Sequence, residues 1–141
     1  MENLTENIMH NGQLLAIIIR RDFNCEGLSF FTPNEFSQQL AFMNHPAGHN
    51  IQPHVHKMVM REVYNTQEVL FVRKGKVRVT FYDEGQREVG TRTVEAGDVL
   101  MLVRGGHGFE MLEQAEIFEV KQGPYAGAED KEKFAPRPPL R

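Results

Sequence analysis

The sequence predicts an all-β protein, and three observations carry that reading. Apolar residues mostly alternate with polar ones or come in short runs broken by Gly, Pro and Asn, which is the mark of many short strands. No helical pattern of two turns or more separates those runs, so they fit a sandwich or barrel rather than βαβ units. One stretch, residues 99–103, is apolar on both faces and belongs in the middle of a structure.

Taken in order, residues 14–20, 28–32 and 38–43 read as three strands before the midpoint, and residues 51–58 as a fourth. Residues 67–73 give a fifth. Lys74-Gly75 then reads as a tight turn, from which residues 76–82 pair back as a sixth. Residues 87–94, 99–103, 107–112 and 116–121 complete the set. The last stretch, residues 123–141, holds four of the seven prolines and reads as an irregular arm packed through Tyr125 and Phe134.

A chain of 141 residues fits one domain, and at this size roughly two-thirds of the unfolded surface can be buried. A net charge of -3 gives no reason to expect nucleic acid or an anionic membrane as partner. Cys25 is the single cysteine, so no internal disulfide can form. The apolar run at residues 14–19 is too short for a signal segment or a membrane span. A cytoplasmic protein is expected.

The informative motif is His54-x-His56. On a strand, residues i and i+2 share a face about 6.6 Å apart, so two imidazoles there can meet one ion from the same side. A bare pair of this kind is more often two surface histidines, and the surrounding residues change that balance. Gly48 precedes His54 by six positions, Glu68 precedes Gly75 by seven, and Gly97-Asp98 opens a stretch that ends at Gly105-Gly106-His107.

Together these residues resemble the two motifs of the cupin superfamily, G-x5-H-x-H-x(3,4)-E-x6-G and G-x5-P-x-G-x2-H-x3-N, over residues 48–107. The resemblance implies a single-domain cupin jelly-roll β-barrel (a double-stranded β-helix), with His54, His56, Glu68 and His107 as ligands of one metal ion. The chain departs from the pattern in three places. Eleven residues, 57–67, separate His56 from Glu68; Val103 replaces the motif's proline, with one residue fewer before His107; and Met111 stands at its asparagine.

The long insert makes Glu62 a rival to Glu68. If residues 57–67 form a β-hairpin, its centre falls near Glu62. That places Glu62 on the order of 20 Å from the ion and puts Glu68 opposite His56. Glu68 also keeps the spacing to Gly75, which favours it. Parity places Leu70 and Val72 on the face of Glu68, and Phe109 and Met111 on the face of His107.

A shell of three histidines and one carboxylate leaves positions open on a five- or six-coordinate ion, which is a catalytic arrangement rather than a closed structural one. Fe, Mn, Ni, Cu and Zn all suit that divalent site. Arg61 and Tyr64 on the insert are candidate catalytic residues of a lid, against the plainer reading of an exposed hairpin. His45 and His49 read as loop residues, His10 as terminal and solvated, and Cys25 as a small packed side chain. Glu119 and Lys121 alternate with Phe118 and Val120. They form a solvated face unless that face is the interior, in which case Lys121 and Tyr125 become pocket groups.

The function expected is that of a mononuclear metal-dependent enzyme of oxygenase type acting on a small polar metabolite. A sugar-phosphate or nucleotide-sugar isomerase or epimerase, and a non-catalytic ligand-binding cupin, are the alternatives. Val69 and Phe71 alternate with the inward residues of their strand, and a second subunit covering them predicts a homodimer.

Overall fold

The computed structural model describes residues 3–140 of the chain, which form two compact units. The larger comprises residues 3–23 and 65–140; the smaller is Asn24–Tyr64. All strands are antiparallel, and they assemble into separate sheets rather than one closed barrel.

In the larger unit, β1 (Thr5–His10), β2 (Gln13–Ile19), β8 (Val99–Leu102), β5 (Glu68–Lys74) and β10 (Glu116–Lys121) form one sheet in that spatial order. A second sheet has the order β7 (Glu88–Glu95), β6 (Lys76–Tyr82), β9 (Gly106–Met111). The two sheets share one core. Ile8, Ala16, Ile18, Leu70, Val72, Leu100 and Leu102 from the first meet Val77, Val79, Phe81 and Val94 from the second. β8, apolar on both faces, is the central strand of its sheet, as its sequence requires.

The turn at Gly75 is a corner, not a hairpin. β5 pairs with β8 and β10, whereas β6 pairs with β7 and β9, so the chain leaves one sheet and enters the other there. Gly75 takes a φ of 85°, and a Cβ at this position would collide with the backbone of Gln114. Only glycine meets both conditions. The alternation of β6 fits either arrangement, and the corner prevails because it buries Val77, Val79 and Phe81 against the facing sheet.

The buried carboxylate of Asp98 holds the turn before β8. It accepts hydrogen bonds from Arg20 Nη1 at 3.0 Å and from the backbone N–H groups of Arg21 and Glu95, each at 2.9 Å. A recess of about 810 Å³ beside it is lined by Glu6, Arg20, Lys76 and Glu95 among others. It lies at the end of the sandwich opposite Glu68 and His107, since the β5–β8 ladder runs from Glu68↔Leu102 to Phe71↔Val99.

The smaller unit is a hairpin-like pair, β3 (Gly27–Phe30) with β4 (Ala41–Asn44), followed by a stretch without strands. The expected strand over residues 51–58 and the hairpin centred on Glu62 do not form, and residues 45–64 are exposed throughout. Pro46 and Pro53 remove backbone donors in and before this stretch.

Two further expectations change. His10 is not a loose terminal residue; it ends β1 with Nε2 3.6 Å from Asp83 Oδ2. In the C-terminal arm Phe134 packs edge-on against Tyr82 at 5.2 Å, but Tyr125 is exposed.

Candidate metal centre

Glu68 opens β5 on its inner face, paired in register with Leu102 of β8. His107 is the second residue of β9 and stands opposite Phe81, a core residue. The two residues therefore come from different sheets and face each other across the interior. His107 Nε2 lies 3.4 Å from Glu68 Oε2, with the glutamate side chain 9% exposed and the histidine 30%.

The hydrogen bond from His107 holds the Glu68 carboxyl below its ordinary value, burial opposes that shift, and the positive charges of His107 and Lys121 reinforce it. Glu68 is thus kept as a carboxylate, the form a metal ion needs. Two donors bound to one ion at about 2.1 Å stand about 3.0 to 3.4 Å apart, so the spacing of this pair fits two ligands of a single ion.

His54 and His56 lie on the smaller unit, their rings 5.3 Å apart and nearly perpendicular. His54 Nδ1 is 2.9 Å from the Gln52 carbonyl oxygen. A carbonyl can only accept, so in the neutral ring Nδ1 carries the proton and Nε2 keeps its lone pair. Orientation of a ligating imidazole through its other nitrogen is a common feature of metal sites.

The structure thus brings together Glu68 with His107, and His54 with His56. Among the described residues no group of three or more His, Cys, Asp or Glu side chains is gathered closely enough to hold an ion. Arg61 and Tyr64 make local contacts. Tyr64 Oη donates to Glu62 Oε2 at 3.0 Å, and Arg61 Nη1 donates to the Val59 carbonyl at 3.4 Å. Glu62 is engaged by Tyr64 there. His45 and His49 stack face to face at 4.0 Å, and Cys25 is a free, partly buried thiol.

β9 and β10, which lie beside the Glu68–His107 pair, are both edge strands of their sheets. Phe109 and Met111 share the face of His107, as parity requires, but remain exposed at that edge rather than buried. On β10 the register pairs Lys121 with Glu68, Glu119 with Leu70 and Ile117 with Val72. Directly opposed residues of an antiparallel pair share a face. Lys121 and Glu119 therefore take the side of Glu68 and Leu70, where Lys121 is half-buried and Glu119 exposed, and Phe118 and Val120 take the outer one. The apolar Phe118 and Val120 are exposed at this edge strand, where burial does not dictate parity.

Comparisons of the chain with models of protein families, with curated proteins and with solved structures found no match. No helix among the described residues is long and apolar enough to cross a membrane.

Proposed function

We propose that this chain is a metal-binding protein of cupin type, its strands arranged as a jelly roll, in which His54, His56, Glu68 and His107 hold one divalent ion from the set Fe, Mn, Ni, Cu and Zn. The observation that carries the reading is the Glu68–His107 pair: a buried carboxylate and an imidazole from facing sheets, 3.4 Å apart. Each would be the sole ligand from its strand, and the motif spacing supplies the two histidines that complete the set.

The reaction we assign is that of a mononuclear metal-dependent enzyme, of oxygenase type, on a small polar metabolite. The ion, when bound, would supply Lewis acidity or a redox centre at its open positions. The chain's own contributions follow from its side chains. Glu68 brings the negative charge that offsets the ion, and the Gln52 carbonyl orients His54 through Nδ1. Arg61 and Tyr64 are the groups assigned to substrate contact and proton movement.

The protein works on this reading as a cytoplasmic homodimer. Cys25 demands no oxidising compartment, and the outer face of β5 and β10 carries Phe71, Phe118 and Val120, all exposed. The deciding experiment is metal analysis of protein purified without chelator, with parallel Glu68→Gln and His56→Ala variants. One equivalent of a redox-active metal in the parent, lost in both variants, is expected. Metal-free parent protein that cannot be loaded would end the proposal.

A further inference from the structure

Met58 and Met60 are, among the described residues, the two most exposed large apolar side chains, at 102% and 92%. The functions assigned above leave their thioethers without a role. They continue the spacing of the two histidines: His54, His56, Met58 and Met60 stand at every second position. Neither turn nor bend interrupts residues 49–64. In such an extended segment, alternate side chains leave on the same side, about 6.6 Å apart along the chain. The rings of His54 and His56 lie 5.3 Å apart, in keeping with that geometry.

Two imidazoles and two thioethers make a soft, neutral donor set, and thioether sulfur selects Cu(I) among the first-row ions. Charge points the same way. None of the four donors is anionic, Lys57 stands among them, and Glu62, the single carboxylate of residues 50–64, is engaged by Tyr64 Oη at 3.0 Å. A monovalent ion suits that balance better than a divalent one. The backbone does not oppose closure either. Among the described residues, 50–64 make no backbone–backbone hydrogen bond, so the run can curve and bring successive donors onto one ion without breaking a ladder. Cu(I) is satisfied by a low coordination number, so the whole run need not close at once.

We infer that residues 54–60 form a copper(I)-capture site, with His54, His56, Met58 and Met60 as its donors. It shares the two histidines with the divalent centre proposed above but draws on neither Glu68 nor His107. The two proposals therefore stand or fall separately.

The test titrates the full-length protein, anaerobically and in ascorbate, against Cu(I) held by the chelator bicinchoninate. All four donors are exposed, so substitutions there leave the core untouched. The parent is expected to withdraw one equivalent of Cu(I), with copper–sulfur scattering in its X-ray absorption spectrum. The double variant Met58→Leu/Met60→Leu is expected to lose that scattering and at least about tenfold in Cu(I) affinity, the least that altering a metal site usually costs. Glu68→Gln is expected to keep the Cu(I) affinity of the parent. Parent-like Cu(I) affinity in the double leucine variant, or a parent that withdraws no Cu(I), would overturn the capture site and leave the divalent centre untouched. A parent that binds Cu(I) through its methionines but takes up no divalent ion would support the capture site and end the divalent centre.

Discussion

His107 on β9 and Glu68 on β5 face each other at 3.4 Å from two different sheets. Neither residue is near the other in sequence, and neither is held by a shared turn. The contact exists because the corner at Gly75 sends the chain from one sheet to the other, so that β6 can carry β9 alongside it while β5 stays in the facing layer.

This pair gives the first expectation. Replacing Glu68 by Gln keeps the shape and removes the charge, and replacing His107 by Ala removes one nitrogen donor. Each change is expected to weaken metal binding by at least about 100-fold, beyond the range usual for residues that only orient a ligand. Competition against a chelator of known affinity reads the loss directly. Parent-like affinity in Glu68→Gln would shift attention to Glu62, the rival carboxylate on the insert.

A second expectation concerns the other end of the sandwich. Asp98 is 3% exposed and satisfies Arg20 and two backbone N–H groups at once. Asp98→Ala leaves those donors facing a void, and the cost is on the order of 3 kcal/mol, because the lost acceptor is charged and buried. Urea unfolding should show a lower midpoint with little change in slope. Metal uptake should be unaffected, since the Glu68–His107 pair lies at the opposite end of β5 and β8.

Much of this architecture could be read from residue order, for identifiable reasons. β8 declares itself because Val99, Leu100, Met101 and Leu102 are apolar on both faces, and β10 because its ends are set by Glu116 and Lys121. β1 did not declare itself: Thr5–His10 contributes only Ile8 to the core, and an edge strand needs little more. The corner at Gly75 resembles a hairpin in sequence because both need a left-handed glycine between alternating segments. Charge alone leaves the side of Lys121 and Glu119 open between solvent and interior, and register with Glu68 and Leu70 sets it. Residues 51–58 carry the histidine spacing of a strand, yet Pro53 removes a backbone donor within them.

The outer face of β5 and β10 supplies a third expectation. Phe118 is 57% exposed, with the Arg73 guanidinium 4.9 Å from its ring centre, and it pairs in register with exposed Phe71. An edge strand with apolar side chains invites pairing with another chain. Sedimentation at micromolar concentration is expected to give twice the 16.2 kDa of one chain, and Phe118→Glu is expected to shift the population toward monomer. A single species of monomer mass in the parent would remove this face from consideration as a subunit interface.

The fourth expectation concerns residues 57–67. The segment carries Arg61, Glu62 and Tyr64 beside apolar Met58, Met60 and Val63, all exposed. Among the described residues, Tyr64 bonds to Glu62 and Arg61 to the Val59 carbonyl, both within the segment. A hydrogen bond between exposed groups is worth little, about 0.5 to 1.5 kcal/mol, so a polar ligand can draw either side chain away at small cost. If the segment closes over substrate, Tyr64→Phe and Arg61→Ala should each lower substrate affinity or turnover by about 10-fold or more, in the range of a lost proton donor or charged contact. Neither should change the amount of metal bound, because neither side chain is among the proposed ligands. Metal content and ligand affinity measured on the same preparations separate the two effects. Variants that match the parent in both would mean a passive exposed segment, and variants that lose metal would move the segment into the coordination sphere itself.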